Sequence, residues 1–222
     1  MTSFNFFLTF GTIVETMPII PFFFAMKNWH KLSVGAKYIS FFFISDFALN
    51  LVQDYYYLQH TYNLFTYYFY SITQAIFIFL GLYHFFNKES KLRYITIFLL
   101  VISVFILYID FIFISKIGLN YISGLTVDLL IFCLSCYCLS SNLKPKIKNF
   151  EEVKVLESSI ILILTLQFFI KFIDLFLGKY LLENQANGYL WIQERNIYNY
   201  FMFFCFGFYI VIFRFTLNKN EV

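Results

Sequence analysis

Charged residues are scarce in this sequence of 222 residues, in which Asp, Glu, Lys and Arg together make up only 13%. Hydrophobic residues make up 60%, and the mean hydropathy is +0.71. This composition excludes a water-soluble globular domain, a disordered chain and a disulfide framework. Polar connections longer than about a dozen residues are also missing, so no soluble module for nucleotides or nucleic acid fits between the apolar stretches. We therefore predict an integral membrane protein.

Motifs for enzymatic or metal chemistry are absent as well. The sequence has no Gly-rich phosphate loop, no His-Glu pair at the spacing of zinc proteases and no serine in a nucleophile elbow. Cys133, Cys136 and Cys138 have a metal-like spacing, but no histidine lies near them in the sequence, and we interpret them as reduced packing residues. We predict no cofactor and no metal site, and the sequence does not favour an enzyme.

Seven apolar stretches approach the roughly 20 residues that a helix needs to cross the hydrocarbon core of a bilayer. They are continuous and too long for barrel strands, so each is predicted to be a helix. The predicted spans are Phe4–Met26, Lys37–Tyr57, Tyr62–Phe86, Arg93–Ser115, Asn120–Ser141, Leu156–Gly178 and Leu190–Phe215. Because the connections are short, we expect one all-α domain over residues 1–222, a bundle of antiparallel neighbours.

The basic residues predict the orientation of this bundle. If the spans alternate in direction, twelve of the 16 basic residues fall on one side: Lys27, Lys31, Lys37, Lys88, Lys91, Arg93, Lys144, Lys146, Lys148, Lys154, Arg214 and Lys219. Positive residues concentrate on the cytoplasmic side of membrane proteins. The sequence therefore predicts an outer N-terminus and a cytoplasmic C-terminus in a multi-pass protein of the bacterial cytoplasmic (inner) membrane.

Polar residues within the spans share helical faces, and most of them lie at mid-depth or towards the outer side. Asp46, Asn50 and Asp54 recur at i, i+4 and i+8 on the second span, which places them on one face. Ionisable groups inside a membrane are costly and mark functional sites. We select as candidate ligand-binding residues Glu15, Asp46, Asn50, Gln74, Asp128, Gln167, Lys171, Asp174, Asn196 and Asn199.

The sequence allows two interpretations of these polar residues, helix packing and ligand binding. Polar side chains also hold membrane helices together, which accounts for single Asn and Gln residues. Helix packing does not require three carboxyls at a similar depth. We therefore expect Glu15, Asp46 and Asp128 to bind a cation, a cationic ligand or a proton. Lys171 either pairs with Asp174 one turn along its own helix or serves as a counter-charge for an anionic ligand group.

Pro18 and Pro21 lie just past Glu15 in the first span, where each removes a backbone donor. We expect a kink at mid-membrane, with the carbonyls of Val14 and Met17 released from their usual partners.

With Glu15 and Pro18 in the first span, Asp46 and Asn50 in the second, and Asn196-Ile197-Tyr198-Asn199 in the last, the chain resembles a loose group of uncharacterised seven-span bacterial proteins. The resemblance implies the seven-helix fold over the whole chain. It implies no activity, because that group has none assigned.

A polar cavity in the outer half of the bundle, closed below by apolar residues, favours a sensor or ligand-binding subunit that signals through a protein partner. The loops at 87–93 and 142–155 are the expected contact points. A small-solute or cation- or proton-coupled transporter is the alternative, and an intramembrane lipid hydrolase resembling a lysoplasmalogenase is the third. The expected partners are the lipid bilayer, a small polar or cationic ligand and a signalling protein; a homo-oligomer stays open, and no nucleic acid is expected.

Overall fold

The computed structural model describes residues 3–58, 64–86, 90–114, 120–142, 152–183 and 188–215. Within these ranges the chain is helical. The α-helices are α1 Ser3–Thr16, α2 Ile19–Lys27, α3 Val34–Leu58, α4 Leu64–Phe85, α5 Leu92–Ile109, α6 Asn120–Asn142, α7 Glu152–Glu183 and α8 Gly188–Phe215. Since α1 and α2 together form the first predicted stretch, the helices correspond to the seven stretches in the sequence.

Six helical stretches among the described residues are long and apolar enough to cross a membrane. They are Phe10–Lys27, Tyr68–Phe85, Leu92–Ile112, Ser123–Ser141, Val155–Asp174 and Ile197–Arg214. They indicate a multi-pass membrane protein, which confirms the all-helical membrane class. Helix α3 has the length, at 25 residues, but is not among the six. Its apolarity is lowered by the polar residues Asp46, Asn50, Gln53 and Asp54.

The helices form a ring with one helix outside it. The α1–α2 pair packs against α3, α3 against α4, α4 against α6, α6 against α7 and α7 against α8, which returns to α1 and α2. Helix α5 lies outside this ring, against α4 and α6. The ring encloses a space bordered by α1, α3, α4, α6, α7 and α8, and helices distant in sequence meet across it.

Helices α3 and α4 approach each other closely because glycines face each other at their contact. A Cβ atom on Gly35 would lie 2.6 Å from the Phe85 ring and 2.8 Å from the Gly81 carbonyl oxygen. Further along, Phe41 stacks on Phe77 at 5.9 Å between ring centroids, so the two helices run antiparallel. Small residues allow this close contact between membrane helices, which fixes α3 and α4 as one unit.

The predicted kink in the first span is present as a break between α1 and α2 at Met17 and Pro18. The carbonyls that the prolines release are not left open. The Val14 carbonyl accepts from the Met17 amide at 3.2 Å, and the Met17 carbonyl accepts from the Ile20 amide at 2.9 Å. The chain therefore tightens locally into i→i+3 hydrogen bonds, as helices do at their ends.

Helix α5 shows how the bundle presents itself to lipid. Phe98 and Phe105 are 64% and 62% exposed, whereas Thr96 and Ser103 are fully buried against the ring. Large apolar side chains thus point outwards and small hydroxyl residues point inwards, the reverse of a soluble helix. A face of this kind suits a hydrocarbon environment.

At its far end, α5 continues as a π-helical turn, Asp110–Ile114. The buried Asp110 carboxylate accepts hydrogen bonds from the hydroxyl of Tyr68, at 2.8 Å, and from that of Ser123. These residues join α4, α5 and α6 behind the wall of the central space.

Candidate ligand-binding site

A cavity of about 210 Å³ lies inside the ring, towards the end at which α3 ends and α4 begins. Six helices and the turn at Pro18 form its wall. The lining residues are Val14, Glu15, Pro18, Asp46, Asn50, Gln53, Tyr70, Ser71, Asp128, Lys171, Asp174, Tyr198, Asn199, Met202 and Phe206. The cavity is smaller than the roughly 300–1,000 Å³ of pockets for drug-sized ligands, so it suits a small molecule.

Seven of the ten residues selected from the sequence line this cavity: Glu15, Asp46, Asn50, Asp128, Lys171, Asp174 and Asn199. Gln74 is buried behind the wall. Gln167 does not line the cavity, and its side chain accepts from the Tyr209 hydroxyl at 3.4 Å. The side chain of Asn196 lies outside the described part of the structure, and its place in the cavity stays a prediction.

The ammonium of Lys171 is held by groups from two other helices. Its Nζ donates to Gln74 Oε1 on α4 at 2.6 Å and to Asp128 Oδ1 on α6 at 3.3 Å. The amide Nε2 of Gln74 donates to the same carboxylate oxygen at 2.7 Å. We call this triangle of Lys171, Gln74 and Asp128 the ammonium clasp, because it ties α4, α6 and α7 together.

The clasp gives Lys171 a different partner from the one that its helix suggests. The sequence offers Asp174, one turn along α7, as an ion-pair partner. In the described residues, Lys171 instead pairs with Asp128 of α6 at 3.3 Å. Asp128 is almost fully buried, with a side chain that is 3% exposed, and therefore gains most from a counter-charge. Asp174 lines the cavity beside it.

Asp46 forms the opposite, α3 side of the cavity. The amide Nδ2 of Asn50 donates to the backbone carbonyl of Glu15 at 3.1 Å and to Asp46 Oδ1 at 3.5 Å. The Tyr70 hydroxyl lies close to the Asp46 carboxylate. The Tyr70 ring also faces the clasp, with the Lys171 ammonium 5.0 Å from its centroid. One tyrosine thus stands between Asp46 and the clasp.

The floor of the cavity is aromatic. Phe206 lines the cavity and packs against Phe43 at 6.2 Å between ring centroids, and Phe43 also meets Tyr209 at 4.7 Å and Phe213 at 6.4 Å. All four rings are buried. Below them, Asn28 Nδ2 donates to the Phe213 carbonyl at 2.6 Å. We call these four rings the aromatic floor.

The two ends of the bundle differ in charge. At the cavity end, four carboxyls and one ammonium face the same space, which gives a formal charge of −3 from Glu15, Asp46, Asp128, Asp174 and Lys171. Among the described residues, no three His, Cys, Asp or Glu side chains come close enough together to hold a metal ion. The basic ends of α2, α5 and α8 lie at the other end of the bundle.

Several lining residues were not selected from the sequence. Ser71 and Tyr70 precede Gln74 by one helical turn, and Met202 and Phe206 follow Asn199 by one and two turns. The helical period alone therefore places them on the cavity side. Nothing in the sequence distinguishes them from the many other serines and aromatics of the chain.

No protein-family model, curated protein or solved structure matches this chain.

Proposed function

We propose that this protein is a seven-helix membrane receptor or ligand-binding subunit whose small ligand enters the cavity from the outer side of the membrane. The observation that carries the proposal is a polar cavity that lies towards one end of the bundle, with the buried rings of the aromatic floor between it and the other end. A binding site that senses one side of a membrane needs this closure, whereas a conduit needs polar groups along its whole length.

The proposed orientation depends on the charged residues at the two ends. Lys27, Lys31, Lys91, Arg93 and Arg214 lie at the end opposite the cavity. By the preference of basic residues for the cytoplasmic side, the cavity then opens outwards. Contacts along the chain support seven alternating spans, because α1 and α2 run parallel to α8: Phe10 packs on Tyr200, and Asn28 bonds to Phe213.

The proposed output passes through a protein partner on the cytoplasmic side. The helix connections are too short to hold a signalling domain of their own. The ammonium clasp joins α7 to α4 and α6, and α7 begins at Glu152, so the last residues of the predicted loop at 142–155 form the first turn of this helix. A ligand that alters the clasp would therefore move the helix that leads to this loop.

A small-solute transporter is the second candidate, and one observation favours it. The first span is broken at Pro18, and this break lies on the cavity wall. Broken helices at mid-membrane line the binding sites of many transporters. Transport would require the aromatic floor to open in a second conformation.

Cysteine accessibility distinguishes the two candidates. In a variant without the four native cysteines, single cysteines replace Ser71 on the cavity wall and, below the floor, Ser40 and Ser135, both fully buried. Serine-to-cysteine changes keep nearly the same volume, so the three positions are matched. Impermeant thiol reagents are then applied from each side of oriented vesicles.

For a receptor we expect labelling at position 71 from the outside only, with positions 40 and 135 silent. Labelling at 40 or 135 from the inside, together with labelling at 71 from the outside, would mean alternating access and a transporter. Absence of labelling at 71 from either side would contradict both candidates.

A further inference from the structure

We infer that the ligand of this cavity is a small primary ammonium ion with a short apolar chain. The inference rests on the proposed function, since it names the ligand class for the same cavity. It is carried by polar groups that face the cavity without a partner, by the separation of polar and apolar walls, and by the way in which the protein already holds one ammonium there.

Two buried polar side chains on the cavity wall have no hydrogen-bond partner among the described residues. Ser71 is 5% exposed and Asn199 is 7% exposed, and both line the cavity. The fully buried polar atoms without a partner in the described residues are Asn28 Oδ1 and Ser103 Oγ, neither of which lines the cavity, so the polar atoms of Ser71 and Asn199 are accessible from the cavity. Accessible polar groups on a cavity wall can bond to a polar ligand or to water that fills the cavity.

Acceptors dominate the same wall. The amide nitrogen of Asn50 is engaged by Glu15 and Asp46, which turns its Oδ1 away from them as an acceptor without a partner among the described residues. The Asp46 carboxylate stands beside it, and the Ser71 hydroxyl oxygen accepts as well. A primary ammonium carries three N–H donors and no acceptor, which matches an acceptor-rich wall.

The other part of the lining is apolar. Val14, Pro18, Met202 and Phe206 come from α1, the turn after it and α8. Apolar side chains supply no ligand atoms to a metal ion or its waters, and the described residues contain no cluster of three metal-binding side chains. An alkyl chain attached to the ammonium would lie against Met202 and Phe206, as ligand pockets combine apolar walls with a few polar anchors.

The ammonium clasp shows that this cavity can hold an ammonium ion. Lys171 Nζ is bound by an amide oxygen and a carboxylate oxygen, with the Tyr70 ring at 5.0 Å and the Phe168 ring at 5.7 Å. Asp46 lies elsewhere on the cavity wall, and its Oδ1 accepts from the Asn50 amide nitrogen at 3.5 Å. Lys171 occupies one ammonium position, and we assign a second one, at Asp46, to the ligand; we call this second position the ligand seat.

Isothermal titration of the purified full-length protein in nanodiscs tests this inference. The probes are n-butylammonium, tetramethylammonium and sodium chlorides at constant ionic strength. We expect saturable binding of n-butylammonium and at least tenfold weaker binding of the other two, because neither offers N–H donors together with an alkyl chain.

Three variants locate the ligand seat. Asp46→Asn removes the carboxylate and should weaken n-butylammonium binding by about tenfold to a hundredfold, as expected for a charge-assisted hydrogen bond. Ser71→Ala should weaken n-butylammonium binding by about twofold to tenfold. Because this change is small, the inference can still be tested if Asp46→Asn does not fold. Glu157→Gln, a matched charge change on α7 outside the lining, should leave binding unchanged.

Equal binding of tetramethylammonium, no binding of n-butylammonium, or binding that Ser71→Ala leaves unchanged would overturn the inference. These failures are separable from that of the proposed function. One-sided labelling at position 71 without ammonium binding would leave a receptor for another ligand, whereas ammonium binding with labelling below the floor would leave the ligand class assigned to a transporter.

Discussion

Simultaneous replacement of Lys171 and Asp128 should cost less stability than either single replacement. The two charges lie 3.3 Å apart, with side chains 16% and 3% exposed. At an effective dielectric constant of about 20, a pair at this distance attracts by roughly 5 kcal/mol. Removal of one partner leaves the other charge buried without compensation, which typically costs about 3–5 kcal/mol.

We therefore expect Lys171→Met and Asp128→Asn each to lower the free energy of unfolding by about 3 kcal/mol. The double variant removes both charges and leaves two amides, at positions 74 and 128, that can bond to each other. Its loss should be about 1–2 kcal/mol, so the coupling energy of the pair should reach about 4 kcal/mol.

The measurement is reversible unfolding in mixed micelles with increasing sodium dodecyl sulfate, followed by tryptophan fluorescence. Trp29 reports on the packing of the bundle through its contact with Phe41. As a control, Asp128→Asn is combined with Lys91→Met, a change at the opposite end of the bundle, and these two effects should add. A coupling below about 1 kcal/mol would refute the reasoning, because polar contacts between membrane helices average about 0.6 kcal/mol without any special role.

Three further predictions concern the packing that holds the cavity in shape, each measured as a change in unfolding free energy or melting temperature. Gly35→Ala should cost about 1–3 kcal/mol, because its Cβ would lie 2.6 Å from an α4 side chain, whereas Gly207→Ala meets open space and should be neutral or slightly stabilising. Asn28→Ala should cost about 1–3 kcal/mol through its lost 2.6 Å bond to the end of α8, and an unchanged melting temperature would contradict this. Phe43→Ala should cost about 3–5 kcal/mol and should let thiol reagents pass from the cavity to a cysteine at position 135. Absence of labelling at that cysteine would mean that the floor does not depend on the Phe43 ring.

The helices follow from local signals that the sequence carries in full. Apolar stretches of about 20 residues can satisfy their backbone in lipid only as helices, so their helical structure and approximate bounds are predictable. The break at Pro18 is equally local, because a missing donor and a ring clash act within one turn. The new hydrogen-bond partners of the released carbonyls were not predictable, and the structure shows that i→i+3 hydrogen bonds satisfy them.

The candidate site was predictable within each helix and not between helices. The face shared by Asp46 and Asn50 follows from the helical period, and both residues line the cavity. The partner of Lys171 does not follow, because spacing reveals Asp174 on the same helix but cannot reveal that Asp128 of α6 lies 3.3 Å away. Gln74 was predicted to contact ligand, and instead it holds the clasp from behind the wall. The order in which helices pack decides such cases.

The contacts of the aromatic floor set the energy that a ligand would have to supply for transport. Phe43 makes three aromatic contacts within the floor, worth about 0.5–1.5 kcal/mol each, and the bond from Asn28 adds about 1 kcal/mol. A ligand shifts a conformational equilibrium only by its difference in affinity for the two states. One charge-assisted ammonium contact supplies about 1.5–3 kcal/mol. This is less than the coupling of about 4 kcal/mol expected for the Lys171–Asp128 pair and lies in the lower part of the roughly 2.5–5.5 kcal/mol to which the floor contacts sum. A single ammonium contact would therefore open neither the clasp nor the floor by itself, so transport would need a second interaction that forms only in the open conformation.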